Sequence, residues 1–114
     1  DIVLAATRAG LFRSINGGST WTKVLGSGIS SAGGNDAEDI ERTSNGTLYV
    51  TMNNGSTGSG TIHKSFNNGA TWTTPRTING LTVAREIELA VTEVDTNVVW
   101  GIMESGGRIR YQCW

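Results

Sequence analysis

A chain of 114 residues with 9 basic and 10 acidic side chains has the size of one ordinary domain and a net charge of −1. That balance, with a pI near 5.7, lacks the basic excess of nucleic-acid binders, and no apolar run approaches the roughly 20 residues of a membrane-spanning helix. Sixteen glycines against one proline, with a hydrophobic share of 37%, suit short strands, tight turns and sheets that keep one face wet.

The first predicted strand is Asp1-Ile-Val-Leu-Ala-Ala6, reached with no initiator Met and no signal peptide; the chain stops as abruptly at Tyr111-Gln-Cys-Trp114. Both ends read as those of a mature, processed or excised piece. A turn at Arg8-Ala-Gly10 leads to a second strand, Leu11-Phe-Arg-Ser14. Ser14-Ile-Asn-Gly-Gly-Ser-Thr-Trp21 then reads as a hairpin turn. Gly18 stands where the chain reverses and a positive φ is needed. The Asn16 side-chain oxygen can accept backbone N–H groups about two residues on, and the Ser14 hydroxyl adds a bond to the same loop. Trp21 opens the returning strand, Trp21-Thr-Lys-Val-Leu25, and its ring is expected to pack on a neighbouring sheet, a burial worth on the order of 2–3 kcal/mol. Gly26 to Asn35, rich in Gly and Ser, reads as a connection.

The same order then recurs. Glu38-Asp-Ile-Glu-Arg42 precedes an apolar strand, Leu48-Tyr-Val-Thr-Met52, which a Gly-rich hairpin loop (Asn53 to Gly60) joins to Ile62-His-Lys-Ser65. A second turn, Ser65-Phe-Asn-Asn-Gly-Ala-Thr-Trp72, begins 51 residues after the first, with Asn67 and Gly69 in the places of Asn16 and Gly18. Trp72-Thr-Thr74 follows as a strand, and Pro75 to Gly80 as a connection. Arg85-Glu-Ile-Glu-Leu-Ala-Val91 alternates Ile87, Leu89 and Val91 with Glu88 and Ala90, the period of two of a strand. Val98-Val-Trp-Gly-Ile-Met103, a turn at Glu104 to Gly107 and Ile109-Arg-Tyr-Gln112 complete a third, shorter unit, with Gln112 in register with Ser14 and Ser65. No stretch has helical periodicity.

A repeat of roughly 40–50 residues built from short strands is the signature of a propeller blade, one four-stranded sheet per period. The expected fold is therefore all-β, with about two and a half four-stranded blades in units near 1–37, 38–84 and 85–114. The segments 38–42 and 85–91 would be innermost strands. Closure takes roughly 4–8 blades, so the chain is expected to be part of a longer propeller or to associate with copies of itself.

The two eight-residue turns resemble the Asp-box, or BNR repeat, of sialidases, sortilin-type receptors, xyloglucanases and secreted bacterial propellers. The family pattern is S-x-D-x-G-x-T-W, and both copies here carry Asn in place of Asp. The resemblance rests on Ser14, Asn16, Gly18, Trp21, Ser65, Asn67, Gly69 and Trp72. It implies a structural role for them on the outer edge of the propeller, away from the axis where ligands bind.

Candidates for chemistry are few. A sialidase-like site needs several arginines around a carboxylate. Arg8, Arg13, Arg42, Arg76, Arg85, Arg108 and Arg110 all lie outside the family's Phe/Tyr-Arg-Ile-Pro context, and Arg13 and Lys64 read as solvated charges beside their strands. The acidic run Asp36, Glu38, Asp39 and Glu41 could offer oxygens to Ca²⁺ or a carboxylate pair, but lacks an Asp-x-Asp-x-Asp-Gly loop and reads as a solvated entry to a strand. Glu86 and Glu88 share one face of a strand. Lining the central channel, they would be the residues best placed to touch a ligand; otherwise they form a polar surface. His63 is the single histidine and Cys113 the single cysteine, so no metal or Ser-His-Asp set is suggested, no internal disulfide can form, and no cofactor is called for. Of the tryptophans outside the turns, Trp100 reads as core, while an exposed Trp100 or Trp114 could stack on a sugar.

The expected function is a non-catalytic extracellular recognition or scaffold module, secreted or at the cell surface, binding protein or glycan. Its partners would be further blades or copies of itself, not nucleic acid and not a membrane span. The alternative is a fragment of a glycoside hydrolase of sialidase or xyloglucanase type, whose catalytic groups lie in other blades. A third reading is an intracellular or organellar assembly-factor propeller.

Overall fold

Successive side chains of a strand point to opposite faces of its sheet. Along 87–90 and 99–104 these alternate buried and exposed, whereas 48–53 are buried on both faces. The computed structural model describes residues 1–26, 36–54, 59–77, 84–105 and 108–113, and arranges them in three antiparallel sheets. The first sheet holds β1 (Val3–Thr7), β2 (Gly10–Ser14) and β3 (Thr22–Leu25) in that order. The second holds β4 (Asp36–Arg42), β5 (Leu48–Asn54), β6 (Ser59–Ser65) and β7 (Arg76–Thr77), and the third β8 (Ala84–Val91), β9 (Val99–Ser105) and β10 (Arg108–Cys113). Among the described residues there is no helix, and so none long and apolar enough to cross a membrane.

Every sheet is a meander, each strand pairing with the next in sequence. In the second sheet Leu48 pairs with Ser65 and Asn54 with Ser59, so the strands run to within four residues of each other across a loop, 55–58, that lies outside the described residues. The third repeats this register, Gly101 opposite Gln112 and Met103 opposite Arg110. β4 and β8, the two segments expected innermost, are end strands of their sheets.

The outer strand of the second unit differs from expectation. Residues 72–75 are not strand, and pairing begins at Arg76, opposite Ile62. The cause is local. The Lys64 N–H is taken by the Thr73 hydroxyl at 3.1 Å instead of by a main-chain carbonyl, while Thr73 N–H donates to Lys64 O at 2.8 Å. Pro75, with no N–H, contributes no ladder donor. The expected connections fall mostly on 27–35 and 78–80, outside the described residues, as do Trp114 and the side chain of Cys113.

The sheets stack through two apolar cores. Leu11 of the first sheet meets Ala37, Val50 and Met52 of the second, with Ala6, Val24, Leu25, Ile40 and Trp72 around them. Tyr49 and Ile62, on the opposite face of the second sheet, meet Leu89, Val99 and Val91 of the third. Leu11 and Ile62 hold equivalent places 51 residues apart. The repeat thus presents one face to the sheet before it and the other to the sheet after it.

Candidate functional site

The two eight-residue turns close with the same set of bonds. In the first, Asn16 Oδ1 accepts from the Ser14 hydroxyl and from Thr20 N–H, both at 2.9 Å, and its Nδ2 donates to Thr20 Oγ1 at 2.9 Å. Ser14 Oγ in turn accepts from Gly18 N–H at 2.8 Å. In the second, Asn67 Oδ1 accepts from Ser65 Oγ at 3.0 Å and Thr71 N–H at 2.9 Å, its Nδ2 donates to Thr71 Oγ1 at 2.8 Å, and Ser65 Oγ accepts from Gly69 N–H at 2.9 Å. The main bond from Asn to backbone thus spans four residues, where the sequence suggested two. A backbone N–H can only donate, which fixes the amide oxygen towards the chain. An Asp there would keep both acceptances, with the threonine hydroxyl turning to donate, so the exchange of Asp for Asn leaves the turn intact.

What surrounds the turns differs. Gly69 has φ +76°, and a Cβ added there would lie 2.9 Å from Leu4 of the first sheet. Its neighbour Asn68 takes the left-handed φ of +53° that Asn tolerates, and its carbonyl accepts from Arg13 Nε at 2.8 Å. The second turn is therefore docked on the first sheet. Trp72 joins the core between these sheets and donates from Nε1 to Gly69 O at 3.2 Å. The ring of Trp21, in the equivalent place, is 43% exposed, against the expectation that both tryptophans pack on a neighbouring sheet. No described sheet lies against the outer face of the first sheet. Arg13 and Lys64, read as solvated charges, stay partly exposed but are also engaged: Arg13 holds Asn68, and the Lys64 ammonium sits 4.9 Å from the centre of the Tyr49 ring.

The acidic run does not converge on a ligand. Asp39 Oδ1 accepts from its neighbour Ile40 N–H at 2.8 Å, and Oδ2 accepts from Leu89 N–H of β8 at 2.7 Å. Asp39 N–H donates to Thr51 Oγ1 at 3.2 Å, and that hydroxyl donates to Ile87 O at 3.2 Å. Asp39 and Thr51 together hold a donor and an acceptor of β8 along the edge that has no strand neighbour among the described residues. Glu38 Oε1 turns instead to Asn53 Nδ2 at 3.4 Å, and Asp36 and Glu41 are half-buried. Among the described residues no three His, Cys, Asp or Glu side chains come together as a metal site would require.

Of the two glutamates offered for ligand contact, Glu88 is exposed on the face of β8 opposite Ile87 and Leu89. Glu86 belongs to a bulge in β8 between Ala84 and Ile87, and its side chain lies outside the described residues. His63 is buried in β6, with Nε2 at 3.2 Å from Thr61 Oγ1 and Nδ1 without a hydrogen-bond partner. Burial pushes the imidazole below its ordinary value of about 6.5, against a smaller upward pull from the Thr73 backbone. With no hydrogen bond formed at Nδ1, desolvation is the stronger influence.

Trp100 corrects a second expectation. Val99 and Met103 of β9 are buried against the second sheet, so the alternation of the strand turns Trp100 and Ile102 outward, 47% and 55% exposed, beside Glu88, Ala90 and Glu104. This is an aromatic and apolar face bordered by carboxylates, with no described sheet on it. An open cleft of about 330 Å³ also lies between the first two sheets, lined by Ile2, Leu4, Ile40, Leu48, Arg42 and Asn68. Its polar members are one guanidinium and one amide.

Sequence reasoning missed Asp39 as a clamp between sheets. A signal was present: Ala37-Glu-Asp-Ile-Glu41 recurs as Ala84-Arg-Glu-Ile-Glu88, 47 residues on.

No protein-family profile and no curated protein matches this sequence. A similar solved structure is a crystal structure of a protein of unknown function from Dyadobacter fermentans DSM 18053. It superposes with a TM-score of 0.60 at 16% sequence identity, over 99% of this chain and 33% of that one. At that identity the likeness is one of fold. This chain spans about a third of the length of the protein it matches.

Proposed function

We propose that the three stacked sheets are blades of a BNR-type β-propeller, and that the chain is a non-catalytic extracellular recognition or scaffold module binding protein or glycan. One observation carries the reading. The two turns close through the same side-chain bonds, Ser to Asn, Asn to Thr and Ser to Gly, so the motif that names the resemblance is spent on the main chain. Asp39, from the densest acidic run, is likewise spent on the backbone of the next sheet. The match to one third of a longer chain agrees with blades belonging to a larger array. In such an array each unit gains much of its stability from the units it packs against.

The test is direct. The purified chain is assayed for turnover of sialosides and β-glucan oligosaccharides, and in parallel for retention of immobilised glycans and extracellular proteins. The reading expects no turnover and saturable binding. Turnover that Glu88→Gln abolishes would replace it with the hydrolase reading.

A further inference from the structure

β4 and β8 are bulged at the same place. In β4, Ala37 pairs with Met52 and Ile40 with Val50, leaving Glu38 and Asp39 between the pairs. In β8, Ala84 pairs with Ser105 and Ile87 with Met103, leaving Arg85 and Glu86. The two bulges superpose residue for residue across the repeat, Ala37 on Ala84, Asp39 on Glu86 and Ile40 on Ile87. A bulge re-aims one position of a strand, and its recurrence marks it as part of the design. In β4 that position is Asp39, whose carboxylate takes the edge N–H of Leu89 in the following sheet at 2.7 Å. In β8 the corresponding residue, Glu86, is again an acid.

The faces of the sheets obey the same correspondence. Ile40 opposite Val50 and Ile87 opposite Met103 place Tyr49 in register with Ile102. Tyr49 is 1% exposed because the third sheet covers it, whereas Ile102 and Trp100 of the third sheet are half exposed. The face bare on the third sheet is the face that is covered on the second.

Resting on the propeller reading above, we propose that Glu86 is the clamp for a further sheet of the same repeat. That sheet stacks on the Trp100–Ile102 face and offers Glu86 the edge N–H of its first strand, as β8 offers Leu89 to Asp39. The occupant is a repeat unit, because only a unit that carries a first strand satisfies both the apolar face and the carboxylate. The match departs at one point. Thr51, which completes the clamp in the second sheet, corresponds to Glu104, so the donor to the strand carbonyl is not repeated.

The experiment extends the whole chain by register. Residues 65–114 are appended after Tyr111, which gives the third sheet a complete turn and outer strand and adds a further sheet behind it. Ile102→Asp and Glu86→Ala are made in the original segment of the extended chain and in the parent chain, and unfolding is followed in urea. In the parent each substitution changes the unfolding constant by less than about tenfold: Ile102 is 55% exposed there and an Asp would meet only Glu88 opposite it, and no described sheet follows β8 for Glu86 to hold. In the extended chain Ile102→Asp lowers it at least a hundredfold. Glu86→Ala lowers it about 10- to 100-fold, the scale of one charge-assisted bond. An effect of Ile102→Asp without an effect of Glu86→Ala keeps the stacking and overturns the clamp. An extended chain that fails to fold, or is no more stable than the parent, overturns the stacking and the propeller reading with it. The template is tested independently in the parent, where Asp39→Ala should speed hydrogen exchange at the Leu89 amide at least tenfold. Unchanged exchange there overturns the clamp. Saturable oligosaccharide binding that Trp100→Ala abolishes, in the parent and in the extended chain alike, would make the face a glycan platform instead.

Discussion

Replacing Asn67 by alanine separates the structural reading of the turn from a ligand-binding one. The substitution removes the two bonds accepted by Oδ1, from Ser65 Oγ and Thr71 N–H, and the one donated by Nδ2 to Thr71 Oγ1. Asn67 and Thr71 are exposed, so water replaces part of what is lost. Ser65 is buried, and although its oxygen still accepts from Gly69, its proton loses its acceptor. At about 0.5–1.5 kcal/mol net per bond, with the two exposed bonds counted low, the expected loss is about 1–2 kcal/mol. Asn67→Asp keeps both acceptances and should stay within about 0.5 kcal/mol of the parent. Urea unfolding read by tryptophan fluorescence measures both, and the slope with denaturant should be unchanged because the surface exposed on unfolding is unchanged. An alanine variant of parental stability that no longer binds ligand would refute the reasoning. So would an aspartate variant as damaged as the alanine one.

Glycine substitutions in the two turns should not cost the same. Gly69→Ala combines a left-handed φ with a Cβ against Leu4 and should cost about 2–4 kcal/mol; Gly17→Ala, with φ +68° and open space around it, should cost only the conformational part, about 1–2 kcal/mol, in the same urea assay. Leu11→Ala opens the core between the first two sheets and should cost about 2–5 kcal/mol by thermal or urea unfolding. Burial holds His63 below its ordinary pKa, so the unfolded chain binds that proton more readily than the folded one. Its contribution is therefore whole above about pH 6.5 and is lost as the pH falls below that value. A His63→Gln variant should lose less stability than the parent between pH 7 and 5, and equal slopes would refute the assignment.

What the residues alone disclosed was local. Gly18 and Gly69 at the reversal, Ser and Asn bonded into the loop, and the alternation along Arg85 to Val91 are decided within a few residues, and sequence carries that information directly. The stacking of one sheet on another is decided elsewhere. Trp100 sits in an apolar run and reads as core, yet the alternation that buries Val99 and Met103 turns it outward. Arg13 and Lys64 looked like surface charges because nothing in their own strands shows that a turn carbonyl and a tyrosine ring will be brought to them. Asp39 looked like part of a solvated acidic entry because its partner, the Leu89 N–H, lies 50 residues away on an edge that exists only once the third sheet has docked.

Trp21 and Trp72 show why the motif should be read as a coupling element and not only as a turn. They end identical eight-residue patterns and follow hairpins of the same geometry. One ring nevertheless packs in a core while the other stands 43% exposed. The shared positions of the motif do not account for the difference, and the sheet in front of it is a contributor that can be named. Leu4 under Gly69 and Arg13 on Asn68 supply that sheet for the second turn. The motif therefore has two energetic parts, an internal set of bonds present in both copies and a docking term present only where a preceding sheet is in place. At about 25 cal/mol per Å² of apolar surface, a tryptophan ring half withdrawn from water is a term of roughly the same size as the loss of one turn asparagine. On the repeat reading proposed above, stability accumulates by adjacency, and the exposed ring of Trp21 and the Trp100–Ile102 face are the two places where no described sheet supplies that term.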